Sequence, residues 1–154
     1  MSLRRPLRLY GRDSDKEALD WDWVDGQLRE AGTYWVTART QGHPHPRPVW
    51  GLWRDGHLYL SIGTPATLDA LSADATVTVH LDSGTEVVIV EGRAVEGPSD
   101  SAVVAEYDRK YDWSYEADTD GPLTCVVPET VLAWRTAGWA GRDSFQQTGK
   151  WTFR

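Results

Sequence analysis

The stretch PVWGLWRDGHLYLSI (48–62) decides the fold of this chain. Two runs rich in aromatic and branched residues flank Asp55-Gly56. An Asp-Gly pair in that setting is the strongest local signal for a tight β-hairpin, because its two-residue turn needs positive φ. Trp50 and Trp53 stand three apart, so on a strand they face opposite sides. One is set for a core, the other for a groove or a partner.

Working outward, TYWVTART (33–40) reads as a preceding strand, and GHPHPRP (42–48) as a turn held open by three prolines. Downstream, SIGTPATLDAL (61–71) ends its strand at Gly63 and starts a short helix over 65–72, with Thr64 as cap and Pro65 at the first helical position. TVTVHL (76–81) and EVVIVEGRAVEG (86–97) are further strands, joined by Asp82-Ser83-Gly84; both faces of 87–90 are apolar, as in a strand covered on both sides. Asp100 to Tyr111 is a second helix, entered at Ser99. DWSYEADTDGP (112–122) is an acidic loop, ETVLAWRT (129–136) a strand, GWAGRDSFQQT (138–148) a polar connection, and KWTFR a closing strand.

At the other end, residues 1–13 read as a loose arm. Ser14 and Glu17 form a capping box for a helix over 14–31, striped by Leu19, Trp23 and Leu28 and stopped by Gly32. No repeat or linker divides the chain, so 1–154 is one domain. Six or seven antiparallel strands must close or stack to hide their edges. The expected fold is mainly β, a small antiparallel barrel with helices outside, although periodicity fits a sandwich equally.

The formal net charge is −7, and the one basic cluster is Arg4, Arg5 and Arg8. That balance argues against a nucleic-acid partner. No window approaches ~18 consecutive apolar residues, so no helix is expected to span a membrane, and a cytoplasmic location is expected. Cys125 is the only cysteine, which excludes an internal disulfide and any Cys-based metal site; in LTCVVP it reads as a buried thiol. The nine tryptophans run from Trp21 to Trp151, a supply of large, partly polar rings suited to interfaces and flat ligands as well as cores.

Candidate chemistry is sparse. His43 and His45 point the same way on an extended chain but lack a third ligand, so no metal site is expected; His80 reads as a core histidine, with a groove residue as the alternative. Asp82, Glu86 and Glu91 cluster at a turn, and Asp112, Glu116, Asp118 and Asp120 lack the EF-hand pattern. No G-x-S-x-G elbow is present. No catalytic acid or base stands out. The start of the 65–72 helix has the form of a phosphate cradle without a cation: amides and the positive end of a dipole, with Thr67 and Asp69 in its first turns.

The order YWVTARTQGHPHPRPVWGLWRDGHLYLSIG, short helix, ATVTVHLDSGTEVVIVEGRAVE resembles the pyridoxamine 5′-phosphate oxidase-like split barrels, over about Tyr34 to Glu96, with a weaker echo in VLAWR and KWTFR. The PVWG spelling is closer to the flavin/deazaflavin oxidoreductase branch. The resemblance implies a six- to seven-stranded split β-barrel, a homodimer with the cofactor in a groove between subunits, and hydride transfer on FMN or a deazaflavin with a small-molecule substrate. It places Arg47, Pro48, Val49 and Trp50 beside the isoalloxazine ring and Ser61 near the ribityl chain or phosphate. Gly63, Thr64 and Thr67 would lie at the phosphate, with Lys150 and Trp151 approaching the site. Thr67 and Asp69 fall where cofactor binders carry cations. A carboxylate near a phosphate costs ~1 kcal/mol or more if solvent is excluded. The alternative is therefore a non-catalytic dimeric binder of an aromatic ligand, with no cofactor.

Overall fold

The computed structural model describes residues 3–5, 8–9, 12–13, 18–97, 100–136 and 145–154. In chain order the elements are β1 (Leu3–Arg5), β2 (Arg8–Leu9), β3 (Arg12–Asp13), α1 (Trp21–Glu30), β4 (Tyr34–Ala38), β5 (His45–Arg54), β6 (His57–Ser61), α2 (Pro65–Ala73), β7 (Thr76–His80), β8 (Glu86–Glu96), α3 (Ser101–Tyr111), α4 (Ala117–Asp120), β9 (Thr124–Thr136) and β10 (Phe145–Thr152). The hairpin turn between β5 and β6 is as expected: Asp55 and Gly56 take φ of 49° and 77°.

The strands run in the order β1-β10-β9-β6-β5-β4-β7-β8, and β8 also pairs with β9. That last pairing closes six strands, β4 to β9, into an antiparallel barrel. β9 keeps β8 on one side along its length, from Glu96↔Thr124 to Glu86↔Arg135. On its other side it holds β6 through Thr124–Val126 and then β10 from Thr130 onward. The barrel therefore splits along β9, and β10 with β1 continues outside it.

Alternation fills the interior. Tyr34, Val36, Ala38, Leu58, Leu60, Val77, Val79, Val88, Val90, Val126, Val131 and Ala133 are all buried. α1 adds Val24 and Leu28 to this cluster. Trp21 meets Trp151 and Phe153 edge-on, each at 5.4 Å. α3 lies on the outer face of β5, where Leu52, Val103, Tyr107 and Leu123 form a second buried cluster.

Several segments differ from the sequence reading. α1 begins at Trp21 with Asp20 as its N-cap residue; Ser14 and Glu17 lie outside the described residues. Residues 3–5 are not a loose arm but pair with β10. The proline segment is strand rather than turn from His45 onward, with Pro46 opposite Thr37 and Pro48 opposite Trp35. β5 pairs with β6 only from Trp50 onward, so the prolines sit where one edge has no partner strand and a missing N–H costs nothing. β9 begins at Thr124, which turns the apolar run around Cys125 into barrel wall. The acidic loop contains the short α4. α3 is capped by Asp100, whose carboxylate accepts from the Ala102 N–H at 2.9 Å; Ser99 and residues 137–144 lie outside the described residues, and the end of the expected polar connection, 145–148, is instead the first half of β10, paired with β9.

Gly92 marks a point of very close approach between β8 and β9. The β8–β9 register shifts between Glu91 and Gly92, and a Cβ on Gly92 would stand 2.2 Å from the Val127 carbonyl oxygen. Gly92→Ala is expected to lower stability by about 1–3 kcal/mol through overpacking against backbone that cannot yield. Urea denaturation of the two proteins checks this.

Candidate functional site

The β4–β5 ladder stops early, and a side chain takes its place. Tyr34 pairs with Val49; continued by two residues, the ladder would set Gly32 opposite Gly51. Instead the Tyr111 hydroxyl, from the last turn of α3, stands between them. It accepts from the Gly51 N–H at 2.9 Å and lies 2.8 Å from the Gly51 carbonyl and 3.0 Å from the Gly32 carbonyl, to either of which it can donate. Only glycine fits at 51: a Cβ would come within 2.6 Å of Leu60 and 2.8 Å of the Tyr59 carbonyl oxygen.

Lys110 reinforces this clasp. Its ammonium donates to the Gly51 carbonyl at 2.9 Å and to the Tyr34 hydroxyl at 3.0 Å. It also lies 4.9 Å from the centre of the Tyr34 ring. The Tyr34 hydroxyl in turn donates to the Leu28 carbonyl at 2.6 Å, tying α1 to the same point. Burial lowers the Lys110 pKa to about 8, against a smaller opposing effect of Glu106, and raises those of Tyr34 and Tyr111.

The clasp fixes the next residue along β5. The indole of Trp50 stacks on the Tyr111 ring, 4.7 Å away and parallel within 1°, and meets Trp113 at 83°. Trp50 is 45 % exposed and Trp53 is 1 % exposed, which settles the division of roles that their spacing implies. Because Gly51 turns its polar groups toward the β4 side, alternation turns those of Pro46 and Pro48 toward the open edge. Arg47 bonds the Pro46 carbonyl at 2.8 Å, which leaves the Pro48 carbonyl as an acceptor on an edge without donors.

Trp50 pairs with Ser61, so the start of α2 adjoins this strand. Gly63 is exposed, with open space where a Cβ would be. Thr64 flanks the helix but makes no side-chain cap. Its carbonyl accepts from the Thr67 and Leu68 N–H groups at 3.0 and 3.2 Å. With Pro65 lacking a donor, the Ala66 N–H is the first-turn amide outside these bonds. Thr67 does not stand at the lip: it is wholly buried, and its hydroxyl has no hydrogen-bond partner. Asp69 is exposed.

The other expected site residues part company. On β10, Lys150 is exposed, while Trp151 is buried in the barrel core beside Trp21. The core places Trp151 inside because it stands opposite the inward-facing Val131. His80 is on the outer wall, not in the core: its ring stacks against Trp35 at 6.1 Å, and the Trp35 indole donates to Asp82. Among the described residues no cluster of three or more His, Cys, Asp or Glu could hold a metal ion. Tyr111, Lys110 and Trp113 were not singled out from sequence; the one visible signal was the spacing of Val103, Tyr107 and Tyr111 along one face of a helix.

Two outcomes follow from the clasp. Tyr111→Phe is expected to cost about 1–3 kcal/mol, because the Gly51 N–H loses its partner in a half-buried place; chemical denaturation measures it. Lys110 in the unfolded chain keeps an ordinary value, near ~10.4. At Lys110 the unfolded state therefore binds more protons from about pH 8 upward, which adds stability as pH rises; the Cys125 thiol, raised by burial, opposes this from about pH ~8.5, and the tyrosines from about pH ~10. Between about pH 8 and pH ~10 the urea midpoint should therefore fall more steeply with pH in Lys110→Met than in the native protein.

No family model matches the chain, and no curated protein matches it in sequence. Solved structures do match in shape. An FAD-binding protein from Mesorhizobium loti superposes with a TM-score of 0.62 at 16% identity, covering 89% of this chain and 98% of that one. A Clostridium acetobutylicum protein related to general stress protein 26, of the pyridoxinephosphate oxidase family, gives 0.56 at 15% identity, covering 74% and 87%. An F420 reductase gives 0.54 at 18% identity, covering 70% and 94%. The chain has the pyridoxamine 5′-phosphate oxidase-like split-barrel fold.

Proposed function

We propose that this protein is a flavin-dependent oxidoreductase acting as a homodimer, with FMN as its cofactor and a small organic molecule as hydride donor or acceptor. The observation that carries the reading is the open edge of β5 beside an exposed, clamped Trp50, leading through Ser61 to the start of α2. Similar solved structures include an FAD-binding protein, which supports a flavin in this fold.

The residues fit the ring better than the phosphate. Arg47, Pro48, Val49 and Trp50 would hold the ring, with the Pro48 carbonyl as an acceptor and the indole as an apolar wall. Ser61, Gly63, Thr64 and the Ala66 N–H would hold the ribityl-phosphate end by hydrogen bonds. No cation in the first turn of α2 adds charge. Bound flavin would supply the hydride chemistry. The chain's part is to fix Trp50 through Tyr111, to line the slot and to keep water from the ring. No side-chain acid or base is required for that role.

A deazaflavin is the second reading. The F420 reductase among the structures of this shape favours it, and its phosphate tail would use the same helix start. Lys150, on the outer β10 strand, is free to approach the site of a partner subunit.

The test is the absorption spectrum of the purified protein, followed by titration with FMN and with a deazaflavin while tryptophan fluorescence is read. Quenching by FMN supports the first reading and quenching by the deazaflavin alone the second; quenching by neither overturns both. A charge-gain variant sharpens it. Thr67 is unsuitable because a lysine there would be buried, whereas Asp69 is exposed. Asp69→Lys is expected to tighten FMN binding by about 0.3–1 kcal/mol, the worth of a charge near a helix start.

A further inference from the structure

The outermost pair of strands carries a charged cluster that the barrel does not use. On β10, Trp151 turns into the core, so alternation sends Lys150 and Thr152 to the outer face of the sheet. β1 is the edge strand there, and Arg5 stands directly opposite Lys150. Opposed residues of an antiparallel pair have their Cβ atoms about 5 Å apart, and like charges in that position repel. Arg154 lies just past the end of β10. Arg5, Lys150, Thr152 and Arg154 together line a cleft of about 240 Å³.

Nothing in the ladder offsets this charge. On β9 the neighbours of Lys150 and Thr152 are Leu132 and Thr130, and on β1 the neighbour of Thr152 is Leu3. The pairing therefore brings no carboxylate to either side. Among the described residues, Arg5, Lys150 and Arg154 enter no ion pair, and all three are exposed. The chain has 23 Asp and Glu against 16 Lys and Arg, so acidic partners are in excess, yet none is among the residues that line this cleft.

We propose that this cleft binds a phosphate dianion, taken up as a small soluble phosphate ester, with the phosphate bridging Arg5 and Lys150 while Arg154 and the Thr152 hydroxyl close round it. A dianion set between two opposed cations turns one repulsion into two attractions. Guanidinium groups present paired N–H donors that match phosphate oxygens, and the ammonium adds a point charge. The Thr152 hydroxyl supplies a neutral donor. At about 240 Å³ the cleft falls below the ~300–1,000 Å³ of pockets that enclose drug-sized ligands, which suits a phosphate on a short organic group. Of its residues, only Lys150 is also expected near the cofactor, and there from a partner subunit.

The chain has only three lysines, Lys16, Lys110 and Lys150, so the Cε signals of lysine-labelled protein can be followed individually by NMR, with Lys150→Gln assigning the one at the cleft. The probes are inorganic phosphate, glycerol 3-phosphate and FMN at pH ~8, where a phosphate ester carries its second charge, each set against chloride at equal ionic strength. Both small phosphates are expected to shift the Lys150 signal saturably and to leave Lys110 unmoved. Arg5→Gln should weaken them about 2- to 5-fold, the worth of an exposed charge pair. In phosphate-free buffer the same substitution should raise the urea midpoint, because it removes one of two opposed like charges. Added phosphate should then stabilise the native protein more than the variant. A Lys150 signal that moves no more in phosphate than in chloride overturns the site, and an unchanged phosphate affinity in Arg5→Gln overturns the bridge. A shift by FMN without one by either small phosphate places Lys150 at a flavin and overturns the separate site. The small phosphates are read without any flavin present, so their result stands whichever way the cofactor titration falls.

Discussion

The pairing of β8 with β9 is the constraint on which the rest depends. Without it the strands form an open sheet with two edges; with it, six strands close and the apolar residues of every strand acquire a common interior. The pairing is long because β9 has thirteen residues and β8 eleven. It is bent by one shift at Gly92, where the β9 backbone approaches too closely for any side chain. β9 then outlasts β6, and its far half takes β10 instead. The split in the barrel is thus a consequence of strand length.

The same kind of mismatch produces the candidate site. β4 has five residues and β5 ten, so β5 must run past its partner on one side. Where β5 lacks β6 it carries Pro46 and Pro48, which leaves an edge without donors. Where it lacks β4, at Gly51, the Tyr111 hydroxyl and the Lys110 ammonium take up the backbone groups. An edge strand is normally a hazard. Here one unpaired stretch is disarmed by proline and the other is satisfied from a helix. Trp50 lies between the two and is held flat by the ring of the tyrosine that satisfies its neighbour.

Much of this was legible in the chain because it is local. The Asp55-Gly56 turn, the start of α2 at Pro65 and the alternation in 76–80 and 86–90 each depend on residues close in sequence, and the opposite fates of Trp50 and Trp53 follow from strand geometry. What escaped reading depends on partners far along the chain. The proline segment looks like a turn until β4 is seen beside it. Thr67 looks like a helix-start hydroxyl, but the register of α2 against the barrel turns it inward with Leu71. Trp151 reads as a site residue from the resemblance, yet its place opposite Val131 commits it to the core. Tyr111 gave no signal of its role, since the ladder position it fills is defined by Gly32 and Gly51, 79 and 60 residues away.

That distance gives the clasp its significance. Tyr111 and Lys110 belong to one helical turn, yet they touch the loop before β4, the middle of β5 and, through Tyr34, the end of α1. A movement of this turn by about an ångström would break hydrogen bonds at Gly51, because such bonds weaken steeply with distance and angle. It would also unseat the ring on which Trp50 rests. The position of the exposed indole and the packing of α3 are therefore one structural variable rather than two.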